Sequence, residues 1–153
     1  MKILYATDGT RQSEAAMEML KRFRLGAGDH VKAVSVIDMA VPMAVDIYGG
    51  YLPDSAEFER TARENAGNIL TETAEALNGH FGEPELQITT EVLFGSPESR
   101  IVEAAEEFHP DLIVLGSHGY KAWERLLLGS VSDSVLHHVH CSVLIARSQP
   151  ENS

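Results

Sequence analysis

Five short apolar runs, separated by segments of helical periodicity, constrain this chain more than any other feature. The runs are Lys2–Ala6, Val31–Ile37, Leu86–Phe94, Leu112–Leu115 and Ser142–Ala146. Their length, valine content and flanking turn residues predict strands. Between the first two, Ser13 is positioned to cap a helix reaching about Arg24, with Ala16, Met19, Leu20 and Phe23 on one face. Asp54 and Glu57 resemble a capping box opening a long helix to about Leu77, where Asn78-Gly79 should stop it. Ser96 as cap and Pro97 at the first position predict a helix to Phe108, and Ser130–His138 reads as the last helix. The resulting β-α-β-α-β-α-β-α-β alternation demands a parallel sheet with helices on both faces and right-handed crossovers. At 153 residues the chain is expected to form one domain, residues 1–147, followed by a polar tail, 148–153, expected to be disordered.

Charge and cysteine content narrow the partners. A formal net charge of −11 opposes binding to nucleic acid or to an anionic membrane, because both present phosphates that would be repelled. It does not oppose a small anion held by local N–H groups. The single Cys141 excludes an internal disulfide framework and suits a reducing compartment. The start, MKILYATDG, is too soon polar for a signal peptide, and no apolar run approaches membrane-spanning length. A cytoplasmic protein is expected.

The stretch from Leu115 to Val135, LGSHGYKAWERLLLGSVSDSV, is the most informative part of the chain. It joins a strand end to a helix start and carries Gly116, Gly119, Gly129 and Ser130. Glycines at a strand end let a ligand approach the backbone. A Gly-Ser step opening a helix offers free N–H groups and the positive end of the helix dipole to a phosphate. These residues therefore predict an anion site. A second segment, Met39–Asp54 (MAVPMAVDIYGGYLPD), is apolar and long for a connection. It reads either as a flap beside a ligand or partner, or as a loop packed on its own domain.

The spacing G-x2-G-x9-G-[ST], met here by Gly116, Gly119, Gly129 and Ser130, resembles the nucleotide-binding signature of the universal stress protein family, in its ATP-binding branch. The opening strand ending Ala6-Thr7-Asp8, the second ending Val36-Ile37-Asp38 and the closing strand Ser142–Ala146 agree with it. The resemblance implies an α/β fold with a five-stranded parallel sheet in the order 3-2-1-4-5. This is a Rossmann-like architecture of the adenine nucleotide alpha-hydrolase type. In that order the winding reverses between strands 1 and 4, and ligands bind at such a switch point, outside the carboxyl ends of the strands. The implied ligand is ATP, with or without Mg. The implied contacts are Ala6, Thr7 and Asp8 after strand 1, Val36 at the adenine, Leu115, Gly116, His118 and Gly119 after strand 4, and Gly129, Ser130, Val131 and Ser132 around the phosphates. The plainer readings are Asp8 as a turn residue bonding its own backbone, Val36 as core, and His118 as a simple loop histidine; for Asp8 the company of Gly116 and Gly119 favours the ligand role.

The last strand adds an expectation about assembly. Ser142–Ala146 would be a sheet edge, with Val143 and Ile145 pointing one way and Leu144 the other. An apolar edge is a pairing template, and the resembling family dimerises through this strand, so a homodimer is expected. One departure is Ser142, where many members have proline after the cysteine.

No catalytic or metal-ligating residue is assigned. Lys121 and Arg125 fall in the intervening loop and read as phosphate partners or as solvated cations. His137, His138, His140 and Cys141 are too close in sequence to converge on a metal, and helix-terminal histidines are favoured by the dipole alone. There is no G-x4-G-K-[ST] loop and no Ser/His/Asp or Cys/His set at the expected strand ends. A phospho-receiver would need clustered acids after the first strand, where Asp8 stands alone. The chain reads as an ATP-binding regulator or sensor in stress response. The alternative is a slow ATPase or nucleotidyl-transfer enzyme at the same crevice, and a third reading is a dimerisation scaffold with a vestigial site.

Overall fold

The computed structural model describes residues 1–39, 55–82, 86–117 and 128–148. Its elements are β1 Lys2–Ala6, α1 Arg11–Leu20, β2 His30–Ile37, α2 Ser55–Phe81, β3 Gln87–Phe94, α3 Pro97–Phe108, β4 Leu112–Gly116, α4 Ser130–His138 and β5 Ser142–Ala146. The five strands form one parallel sheet in the order β3-β2-β1-β4-β5. Tyr5 faces Ala33 on one side and Val114 on the other, so β1 is the central strand.

Alternation along the strands sorts their side chains between two cores. Ile3, Tyr5, Val31, Ala33 and Val114 face Ala16 and Leu20 of α1 and Leu70 and Leu77 of α2. Leu4, Val34, Leu93, Ile113 and Leu115 face Ile101, Ala104, Ala105 and Phe108 of α3 and Val135 of α4. The interior strands are apolar on both faces because both are covered, as a doubly wound sheet requires.

Three helix boundaries differ from the sequence expectation. The cap of α1 is Thr10, whose side chain accepts from the Ser13 N–H; Ser13 itself lies in the first turn and is buried. The helix also ends at Leu20, well short of Arg24. Arg22 and Phe23 donate to Met19 and Leu20, a tighter final turn that brings Phe23 against the core. Conversely α2 passes through Asn78-Gly79 and reaches Phe81. Its buried positions Ala66, Leu70, Thr73 and Leu77 continue at helical spacing to Phe81, which packs on the same core. The left-handed stop is Gly82 (φ 71°), whose N–H donates to Asn78 O at 2.9 Å. The capping role expected of Asp54 falls outside the described residues, as do residues 40–54 of the Met39–Asp54 segment and 149–153 of the tail.

Candidate functional site

The carboxyl ends of β1 and β4 emerge side by side, and each is drawn further along the sheet by one more hydrogen bond. Thr7 N–H donates to Val34 O at 2.9 Å, and Ser117 N–H donates to Ala146 O at 2.8 Å. Winding reverses between these strands, so this is the crevice that topology nominates.

After β1 the chain makes a tight, self-bonded loop. Asp8 Oδ1 accepts from Thr10 N–H at 3.0 Å and from Thr10 Oγ1 at 2.5 Å, while Gly9 holds φ 74°. The turn role of Asp8 is therefore real, and it occupies one carboxylate oxygen; a carboxylate retains capacity for further donors. Below it, Thr7 Oγ1 donates to Ser13 Oγ at 3.1 Å, and Ser13 Oγ donates to Thr10 O at 2.8 Å. Tyr5 Oη donates to Ser13 O at 2.7 Å. Burial, helped by the nearby Asp8 and Glu14 charges, pushes the Tyr5 hydroxyl up to about 12 against the hydrogen bonds with Thr7 and Ser13 that lower it. This chain of hydroxyls fastens the β1 loop to the first turn of α1. Sequence reasoning took Ser13 for a cap and missed this anchoring role; the Thr10-x-x-Ser13 spacing is the signal that was available.

After β4 the finding of most consequence concerns Gly116. A Cβ built on it would stand 2.7 Å from both the carbonyl carbon and the oxygen of Gln12. Real Cβ atoms do not approach so closely, so glycine here is demanded by the packing of β4 against the α1 backbone. The space expected for phosphate at this position is taken by the α1 backbone on its Cβ side.

The start of α4 is held against the same strand end. Gly129 N–H donates to Ser117 O at 2.9 Å, and the nearly inaccessible Ser132 donates its hydroxyl to Gly116 O at 2.8 Å. The structure thus brings Gly116, Gly129 and Ser132 together, while Leu115 and the half-buried Val36 and Val131 belong to the core shared by α3 and α4. Ala6 is buried in that core as well. Asp133 N–H donates to Gly129 O at 2.9 Å, the first bond of the helix. Helix geometry leaves the N–H groups of Ser130, Val131 and Ser132 without intrahelical acceptors. Such a turn can take an anion. Ser130 Oγ donates to Glu98 Oε1 at 2.8 Å, and Ser96 Oγ donates to Glu98 Oε2 at 2.6 Å. Sequence reasoning did not anticipate Glu98, because nothing in the linear chain brings α3 beside α4. His118, Gly119, Lys121 and Arg125 lie outside the described residues.

At the far end of α4 the histidines are used locally. The Nδ1 atoms of His137 and His138 lie 2.7 Å from the carbonyls of Asp133 and Ser134. Among the described residues no group of three or more His, Cys, Asp or Glu is arranged to hold a metal ion, and no helix is long and apolar enough to cross a membrane.

An open parallel sheet in this order, with two strand ends, the Thr7–Asp8 loop and a helix start gathered at its switch point, defines a doubly wound α/β protein with a candidate small-ligand crevice. The universal stress protein family pattern matches residues 1–147, and the chain belongs to that family. It is 32% identical over 154 residues to a universal stress protein of Methanocaldococcus jannaschii, covering 95% of this chain and 81% of the relative. Its fold is similar to the solved structure of the hypothetical protein MJ0577 (TM-score 0.82, 27% identity, 99% of this chain and 97% of that one). The fold is also shared with a universal stress protein in complex with cAMP (TM-score 0.68, 21% identity, 97% and 98% covered). A family protein from Arabidopsis thaliana with AMP bound is a further match (TM-score 0.66, 15% identity, 99% and 94% covered).

Proposed function

We propose that this chain binds an adenine nucleotide, ATP foremost, at the β1–β4 switch point and acts as a nucleotide-dependent regulator or sensor in stress response. The observation that carries this reading is the junction of Gly116, Gly129 and Ser132. It seats the first turn of α4, whose N–H groups have no intrahelical acceptors, at the end of the strand beside the Thr7–Asp8 loop. Phosphates suit that turn by charge and by hydrogen bonding. Asp8 suits the ribose hydroxyls, since a carboxylate with one oxygen in a turn accepts readily from an alcohol. The cAMP and AMP in structures of similar fold support the ligand class. In this reading Val36 meets the adenine, and Ala6, Thr7, Leu115, Gly116, His118, Gly119, Gly129, Ser130, Val131 and Ser132 complete the contacts. Mg would accompany the phosphates. The assembly is a homodimer in the cytoplasm, paired through β5, whose outer edge has no strand neighbour among the described residues.

The site is built for occupancy. Backbone N–H groups on a helix start hold ground-state and transition-state phosphate about equally, and uniform binding does not raise turnover. The test is calorimetric titration of ATP, with mass spectrometry of any ligand released from the purified protein. Binding that weakens about tenfold or more in Asp8→Ala supports the reading. Equal affinity in both proteins removes Asp8 from the site, and no binding to the wild type overturns the function.

A further inference from the structure

Glu98 links the starts of α3 and α4. It occupies the second position of α3, behind Pro97, yet its carboxylate reaches two helix starts at once. Oε2 accepts from Ser96, the cap of α3, and Oε1 accepts from Ser130, the first residue of α4. Ser96 adopts cap geometry (φ −71°, ψ 124°) without bonding the helix N–H groups through its side chain, because its hydroxyl is turned to Glu98. Gly129, the cap of α4, has no side chain to offer. Both helix starts therefore direct their positive dipole ends and a serine hydroxyl at one carboxylate. A carboxylate accepting two hydroxyls at a helix start presents the charge and acceptor geometry of a phosphate edge.

We propose that Glu98 is a built-in anion that sets which adenine nucleotide the site prefers, by opposing terminal phosphate charge at Ser130. This rests on the nucleotide reading above. The reasoning is electrostatic. Charges a few ångströms apart at a protein surface interact appreciably, and the repulsion grows with the charge the ligand brings to that place. A triphosphate carries two more phosphate groups than AMP, and its chain extends toward the α4 start. AMP keeps its one phosphate nearer the ribose and meets less of the Glu98 field. The carboxylate also competes directly for the Ser130 hydroxyl, which donates only one hydrogen bond at a time. Glu98 thus penalises ATP relative to AMP.

The experiment compares ATP and AMP affinities of the full chain and Glu98→Gln by calorimetry, each in EDTA and in Mg, at fixed low salt. Glutamine keeps the shape and an acceptor for Ser130 but removes the charge, and circular dichroism confirms the fold. The ATP-to-AMP affinity ratio in EDTA is expected to rise about tenfold in Glu98→Gln, with AMP itself changing little. Raising the salt concentration should shrink that difference. Glu98→Ala, which also frees the Ser130 hydroxyl, should raise the ratio at least as far. An unchanged ratio with normal binding overturns the proposal and leaves the nucleotide reading standing. A loss of ATP affinity confined to Mg would make Glu98 a metal contact and overturn it too. Failure of both proteins to bind either nucleotide defeats the underlying reading.

Discussion

Gly116 and Gln12 touch backbone to backbone: a Cβ on Gly116 would lie 2.7 Å from the Gln12 carbonyl. The last residue of β4 and the first turn of α1 are thereby locked together, which places the β1 loop beside the β4 end. Gly116→Ala is expected to force the two apart and cost about 1–3 kcal/mol of stability. Urea denaturation measures this. An unchanged midpoint would mean that the α1 start moves freely and does not define the crevice.

Ser132 and Ser130 should behave differently although they are two residues apart. Ser132 is 2% exposed and its hydroxyl satisfies Gly116 O. Ser132→Ala strips that carbonyl of a partner in a poorly hydrated place and should destabilise by about 1–2 kcal/mol. Ser130 bonds Glu98 in an exposed setting, so Ser130→Ala should change stability little and nucleotide affinity more. Thermal unfolding beside nucleotide titration separates the two. Equal stability losses would contradict the assignment of Ser132 as the structural member of the pair.

His30 predicts a pH dependence at the other end of the sheet. Burial first, and then the Lys2 and Lys32 charges, hold its pKa below the ordinary 6.5. Its ring packs edge-on against Phe108 and its Nε2 lies 2.7 Å from Thr89 Oγ1, while Lys32 is also paired with Glu91. The unfolded chain therefore binds a proton at a pH where the folded chain does not. Stability is present above about 6.5, falls as pH drops through that value, and stops falling below the folded pKa. Melting temperatures from pH 8 to 5 should decline less in His30→Gln than in the wild type. Parallel curves would remove His30 as a contributor.

The dimer expectation has a direct test. In β5, Val143 and Ile145 pack toward the α3–α4 core and Leu144 toward the α1–α2 core, so both faces are partly covered, and among the described residues the outer edge has no strand neighbour. Antiparallel pairing of two such edges would satisfy their backbone groups. Sedimentation at micromolar concentration should show a dimer that Ile145→Lys shifts toward monomer while the far-ultraviolet spectrum is kept. A wild-type monomer under those conditions would exclude pairing through β5.

The sequence by itself determined the element order, the parallel sheet and most strand limits, because apolar runs of strand length alternating with helical periodicity admit few other arrangements. The helix starting at Pro97 was legible from a cap and a proline, which act locally. Helix ends were less so. Asn78-Gly79 is a sound local stop, yet Phe81 had a core position to fill, and burial outweighs the modest cost of a mid-helix glycine. Of the candidate site, the glycine spacing and Asp8 were visible in the linear chain. Their physical roles were not: Gly116 is small for the sake of Gln12, and Asp8 spends one oxygen on Thr10. Glu98 beside Ser130 was invisible to any local rule, since the two meet only when α3 and α4 pack on the same face of the sheet. Local periodicity decides what each segment becomes; which side chains then share a helix start is decided by the packing of segments distant in sequence.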